Sequence, residues 1–302
     1  MTKLKLSQLE MLVAAVDTGS FSAAAAALEC TQSRISHAIA ELEAELGSRL
    51  LSRSRLGCEP TDAGHSVVIK ARQVLALTRS ISAVAPEDPM TGRVQIACFQ
   101  SVGAHLLPRA LAALANEHPG IRVDLDESCE EREDVERAVR GGHADIGIAH
   151  LPVGSDLLIS PFVTDSYVLL VPASLAIRTP VSWDQFSDLP YIHLHCSGAL
   201  AVLEKCRSDG FDAELSRTLA THAGIVAMVK QGVGFSILPL LAVFPEPAGV
   251  KVLKLPISAK RQLVVIAPVT ARTKAAKIVL RYVCERRFVT ESAAFRSGVV
   301  NW

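Results

Sequence analysis

Residues 86–93, PEDPMTGR, divide the chain more sharply than any other stretch. Two prolines and a glycine within eight residues interrupt any continuous helix or strand, so a boundary falls there. The apolar residues keep different periods on its two sides. Before it, Leu9, Leu12, Val13 and Val16, and then Ile35, Ile39, Leu42 and Leu46, recur at three and four, the spacing of helices with one buried face. After it, short apolar runs such as RVQIACF (93–99) and ADIGIA (144–149) alternate with helical stretches. The pattern predicts a helical N-terminal part and an α/β C-terminal part, and 302 residues are enough for each to bury a core.

In the helical part, Ser7-x-x-Glu10 has the form of a capping box and predicts a helix from about Ser7 to Asp17, ended by Gly19. Ser20 caps a short Ala-rich helix to Leu28, Glu29 and Cys30 make a tight turn, and Thr31 caps a third helix. That third helix begins with Gln32, Ser33, Arg34, Ser36 and His37 where a solvated face would carry Glu and Lys. In the second helix of a helix-turn-helix, such side chains reach the major groove, Gln and Arg through paired hydrogen bonds and Ser toward phosphates or base edges. Arg49, Arg53 and Arg55 follow, placed to meet the DNA backbone. Charge does not add to this: residues 1–60 hold six Lys and Arg against seven Asp and Glu, and the whole chain 31 of each sign. A plain helical hairpin fits the same spacing.

The run from Phe21 to Leu75 resembles the winged helix-turn-helix of LysR-type transcriptional regulators. The matching positions are Phe21, Ala24, Ala25, Leu28, Thr31, Gln32, Ser36, Leu42, Glu43, Leu46, Gly47, Leu50, Arg53, Thr61, Ala63 and Gly64. His37, Leu56 and Pro60 depart from the family's usual residues, so no operator sequence carries over. Farther on, LLPRALAALANEHPGIRVDL, ADIGIA and MVKQGVGFSILP resemble the family's effector domain, which is built like periplasmic binding proteins. The resemblance implies a winged helix-turn-helix over 1–60, otherwise all-α, and a linker helix and hinge over 61–92. It also implies a two-lobed α/β regulatory domain over 93–302, with lobe I at 93–163 and 267–302 and lobe II at 164–266. Strands near 160–166 and 264–270 are expected to cross between the lobes, and the sheets to be largely parallel.

The linker helix carries Val67, Ala71, Val74, Thr78 and Ile81 at spacings of four and three, a seam suited to a second copy or to the chain's own second domain. The resemblance implies dimerisation through this helix, a homotetramer, double-stranded promoter DNA with dyad symmetry, and RNA polymerase as a further partner. Ligands of α/β folds bind beyond the carboxyl ends of strands. Phe99, Gln100 and Ser101 end one strand and Thr221 and His222 sit at the corresponding turn in the second half, while His150 and His195 stand at cleft edges. These residues suit an anionic or aromatic effector. A metal is not expected, because His193 and His195 share one face of a strand and Cys196 points opposite.

Peroxide-sensing members of the family switch through two cysteines in this region. Cys196 and Cys206 are the candidates here, at a spacing of ten rather than nine, and make thiol-based sensing the alternative reading. Seven scattered cysteines without C-x-x-C fit a reducing compartment. A secretory signal and an 18-residue apolar span are not found, so a cytoplasmic protein without membrane contact is expected. The chain has no G-x-S-x-G, no phosphate-binding loop and no H-E-x-x-H, and Gly232-Val-Gly234 lacks the third glycine of a dinucleotide turn. No catalytic residue, enzyme activity or cofactor is expected.

Overall fold

The computed structural model describes residues 4–54, 57–82, 91–269 and 273–302. The N-terminal head contains α1 (Leu6–Thr18), α2 (Phe21–Ala27), α3 (Gln32–Leu46), a hairpin of β1 (Leu51–Ser54) and β2 (Gly57–Pro60), and the long α4 (Asp62–Ser82). The first cap lies two residues earlier than Ser7: Lys5 N donates to Gln8 Oε1 at 3.0 Å. Gly19 and Gly47 end α1 and α3 in the left-handed conformation, at φ of 64° and 65°. The head's core is Leu12, Ala15, Ala24, Ile35, Ile39, Leu42 and Leu50, all fully buried. The small side chains of α2 let α1 and α3 approach closely, as the Ala-rich stretch suggests.

The second part runs β3 (Gly92–Cys98), α5 (Gln100–His105), α6 (Pro108–Glu117), β4 (Ile121–Asp126), α7 (Arg132–Arg140), β5 (Ile146–His150) and β6 (Leu157–Pro172). It continues with β7 (Tyr191–Leu194), α8 (Ser197–Ser208), β8 (Leu215–Leu219), α9 (His222–Lys230), β9 (Ser236–Pro239), β10 (Val250–Lys254) and β11 (Lys260–Pro268). The chain closes with α10 (Lys274–Cys284), α11 (Arg286–Thr290), α12 (Ala293–Arg296) and β12 (Val300–Asn301).

One sheet of order β10-β6-β11-β5-β3-β4, with β9 and β12 also on β6, joins the two lobes. β3 pairs in parallel with β4 and β5, and β7 with β8. The remaining strand ladders of this part are antiparallel, which corrects the expectation of largely parallel sheets. The cause is the route of the chain: β6 leaves the first lobe and β11 re-enters it, so the two crossing strands run in opposite directions. Up to Ser166, β6 pairs with β11, and from Tyr167 to Pro172 it pairs with β9 and β10. Each lobe has its own core, around Ile96, Ile146, Ile148 and Val279 in the first. In the second, Leu169, Phe186, Tyr191 and Phe235 pack together, with helices α8 and α9 on the outside.

Candidate recognition edge and interlobe cleft

Thr31 caps α3 by accepting the Arg34 N–H at its Oγ1, 3.3 Å away, and leaves the helix's opening turn facing solvent. Gln32, Ser33 and Arg34 are exposed beside it, and Ser36 is half-buried. The His37 side chain is 81% exposed, its Nε2 3.5 Å from Glu41 Oε1. What holds this edge in place is mostly backbone bonding by the conspicuous motif residues. Glu43 Oε1 accepts the N–H groups of Leu50 (2.7 Å) and Leu51 (3.1 Å), tying α3 to the wing. Thr61 Oγ1 donates to Arg49 O (2.7 Å) and accepts from Gly64 N (3.0 Å). At Gly64 a Cβ would stand 1.9 Å from Leu50 O, so only glycine fits. Arg49 is exposed; Arg53 pairs with Cys58 across the wing, while its side chain and the whole of Arg55 lie outside the described residues.

The expected linker seam is split by the head's own core. Ala71 is 2% exposed and Val67 packs beside it, because α1 covers that side of α4. Val74 stays exposed with Ile69 and Leu77, and Thr78 is half-buried. The Ile81 side chain lies outside the described residues.

Between the lobes a cavity of about 140 Å³ gathers all seven residues expected there: Phe99, Gln100, Ser101, His150, His195, Thr221 and His222. Helix starts surround it. Phe99, Glu131, Cys196 and Thr221 are the caps of α5, α7, α8 and α9, and all four line the cavity. Thr221 Oγ1 accepts from Gly224 N at 3.2 Å. Helix N-termini present free N–H groups and the positive end of the backbone dipole, a setting for negative charge.

His150 Nδ1 donates to Leu151 O at 3.0 Å, which leaves Nε2 as an acceptor, and the ring stacks on Phe99 with centroids 5.9 Å apart. Burial lowers the His150 pKa. The Nε2 of His222 is buried without a hydrogen-bond partner among the described residues, and burial, with Arg261 nearby, pulls its pKa down to about 4. Both shifts favour the neutral imidazole. Gly198 of the second lobe approaches His150 of the first so closely that a Cβ would be 3.2 Å from Nε2.

The residues that inspection of the sequence missed sit at the crossing strands. Arg261 on β11 lines the cavity with its guanidinium 5.6 Å over the Phe99 ring. Its Nε donates to Asp165 Oδ2 at 2.9 Å, and Asp165 Oδ1 accepts from Leu241 N at 3.2 Å. Asp165 is fully buried, and burial pushes its carboxyl up against the opposing pull of Arg261. Tyr167 and a rim of Glu127, Ser128 and Glu130 also line the cavity. The one available signal was a charged residue entering the apolar run QLVVIAP, whose partner lies 96 residues away. His193, by contrast, is 4% exposed against Tyr191 and does not line the cavity. Among the described residues no three His, Cys, Asp or Glu side chains are placed to hold a metal ion.

Cys196 lines the cavity, with its Sγ accepting the Ala199 N–H at 3.4 Å, and burial raises its pKa. Cys206 is fully buried in the core of the second lobe, its thiol pushed up to about 11. Ten residues of α8 at 1.5 Å each set the two about 15 Å apart along the axis, far beyond the roughly 4.4–6.8 Å between Cα atoms that a disulfide spans.

Two family models match the chain: the lysR-family bacterial regulatory helix-turn-helix over residues 6–65 and the LysR substrate binding domain over 87–287. A probable HTH-type transcriptional regulator LrrA from Synechococcus elongatus is 36% identical over 262 residues, covering 85% of this chain and 88% of its own. A probable hydrogen peroxide-inducible genes activator from Mycobacterium leprae is 30% identical over 243 residues, 78% and 77% of the two chains. Among solved structures, a full-length OxyR variant from Pseudomonas aeruginosa superposes with a TM-score of 0.74 at 20% identity over 98% of both chains. Full-length CbnR complexed with its target DNA does so at 0.55 and 21% identity, over 95% of this chain and 100% of that one. At such identities the structural likeness establishes the fold.

Proposed function

Because this chain belongs to the LysR family of bacterial transcriptional regulators, with that family's DNA-binding and effector-binding domains, we propose that its interlobe cavity senses a small anionic or aromatic molecule and controls how the head engages promoter DNA. One observation carries the sensing part: the cavity holds polar groups prepared for a partner, above all the buried His222 Nε2, which has no hydrogen-bond partner among the described residues. Buried polar groups are costly unless hydrogen-bonded, so a ligand that supplies the missing bond gains from a loss already incurred. The four helix starts favour a carboxylate, and the Phe99–His150 stack favours a flat ring beside it.

On the DNA side, Gln32, Ser33 and Arg34 read base edges, Thr31, Ser36 and His37 flank them, and Arg49, Arg53 and Arg55 grip the phosphates. Two copies joined along the exposed Ile69, Val74 and Leu77 edge of α4 present two such helices to a dyad-symmetric site. Two dimers make the tetramer, which contacts RNA polymerase from a cytoplasmic location and performs no catalysis. A thermal-shift screen of carboxylates and aromatic acids on the full chain tests the sensing reading. A stabilising compound whose effect vanishes in Ser101→Ala and in His222→Ala supports it, and one that acts unchanged on both variants moves the ligand elsewhere.

A second reading has one observation of its own: Cys196 lines the same cavity, and a relative is a probable peroxide-inducible activator. In that reading peroxide oxidises the Cys196 thiolate to a sulfenic acid, releasing hydroxide, and α8 unwinds for the Cys206 thiol to displace water from it and form the disulfide. The raised pKa of both thiols opposes it, since the thiolate is the nucleophile. Intact-mass analysis after peroxide treatment decides between the readings: a loss of two hydrogens that Cys206→Ser prevents would establish the switch.

A further inference from the structure

Helix α7 of the first lobe both borders the cleft and touches α4 of the head in the same chain. At its start, Glu131 caps the helix and lines the cavity, with Asp134 Oδ2 accepting the Glu131 N–H at 3.0 Å. Along its length an ionic ladder continues from Arg132 to Glu136 (3.8 Å), from Glu136 to Arg140 (2.5 Å) and on to Asp156, which Arg140 holds with two bonds of 2.8 and 2.9 Å. Glu136 is 8% exposed, and Val135 and Val139 anchor the same face in the lobe's core. At its far end, Arg140 O accepts a hydrogen bond from Gln73 Nε2 of α4 at 3.1 Å. Gly142, at φ 70°, lies against the backbone of Arg72, near enough that a Cβ would stand 3.4 Å from Arg72 O. Arg72 is 6% exposed and grips Asp17 of α1, so this contact reaches the head itself.

We infer that α7 is a strut that carries the state of the cleft to the head within one subunit: a shift of its Glu131 end moves the Arg140–Gly142–His143 end that docks on Gln73 and Arg72. Nine residues give a rod about 13 Å long. A short helix pinned by a charge ladder centred on the buried Glu136 moves as a unit rather than bending, which is what a relay between two sites needs. Beside the dock, α1, Leu28, Arg72, Leu75, Thr78, Gly142 and His143 surround an open space, so the head has room to reseat when the strut moves. The inference rests on reading the cleft as the sensing site, but its test needs neither effector nor operator.

Hydrogen exchange read by mass spectrometry on the full chain provides that test. Glu131→Ala removes the cap at the cleft end, and exchange over residues 70–78 of α4 is expected to quicken about fivefold or more, together with α7. In the Gln73→Ala, His143→Ala background the dock is already loosened, so adding Glu131→Ala should change residues 70–78 no further. If Glu131→Ala loosens α7 and leaves 70–78 unaltered, or acts on 70–78 equally in both backgrounds, the strut is refuted. Glu136→Gln breaks the ladder in the middle at constant volume and serves as the second perturbation should Glu131→Ala fold poorly; the same non-additivity is required of it. An inert cleft in the compound screen would overturn the sensing reading while leaving this exchange result standing, so the two failures are separable.

Discussion

At the opening turn of α3, Gln32, Ser33 and Arg34 stand in water, whereas in the cleft Asp165, Arg261 and His222 are withdrawn from it. The same kinds of polar atom are thus offered to partners in opposite ways. An exposed edge keeps its solvation until a partner displaces it, and where that partner is DNA the strength depends on salt and on how many phosphates are neutralised. A buried set is already desolvated and oriented, and its energy lies in whether each member has its partner. The contrast predicts that the head gains little of its own stability from Gln32, Ser33 and Arg34, and that the regulatory domain loses more when its buried cleft pair is broken.

The largest test of that contrast is Asp165→Ala. Removing one partner of the buried pair strands Arg261 and should cost the regulatory domain about 3–5 kcal/mol in urea denaturation; a loss under about 1 kcal/mol would erase the distinction. Acid comes next. Folding lowers the His222 pKa from 6.5 to about 4, so between those values the unfolded chain binds the extra proton and stability falls as pH falls. His150, His193 and His105 shift in the same direction. Melting scans from pH 7 to 4 should therefore show a progressive loss that is shallower in His222→Gln; identical slopes would remove His222 from the account.

Within the head, Glu43→Ala leaves the Leu50 and Leu51 N–H groups without their acceptor and should lower stability by about 1–3 kcal/mol, while Gln32→Ala leaves the melting temperature unchanged. On promoter DNA the order reverses for a direct reader: Gln32→Ala should weaken specific binding by about 1–3 kcal/mol and spare non-specific affinity. Equal losses on specific and random duplexes would make Gln32 a phosphate contact. The smallest effect belongs to the exposed Arg109–Glu291 pair, both half in solvent, where Arg109→Ala should cost under about 1 kcal/mol. That value sets the baseline against which the Asp165 result is judged.

The same contrast explains what could be read without coordinates. Glu43, Gly47, Thr61 and Gly64 act on backbone atoms within about fourteen residues, so a local pattern records them. The cleft's seven expected residues were legible because strand ends and helix starts have local signals. Asp165 and Arg261 were not, since only the crossing of β6 and β11 brings them together. Strand β8, LSRTL, is largely exposed and lacks an apolar run, and β10, VKVLK, is a short strand whose pairing with β6 no local spacing encodes. The linker seam was half legible: the spacing marked a buried stripe, but the competing claim of α1 on Ala71 is a tertiary fact.

The change of partner along β6 and β11 has a consequence for how such a protein can be altered. The chain between Ser166 and Lys260 enters and leaves through one adjacent pair of residues and builds the second lobe, apart from the Leu240–Phe244 turn, whose Leu241 and Phe244 pack against the first lobe's core. That lobe is therefore a cassette, excisable by two cuts lying side by side in space, whereas the first lobe is assembled from chain on both sides of it. Recombination between relatives could exchange half of the cleft in a single contiguous block and leave the strut and the head untouched.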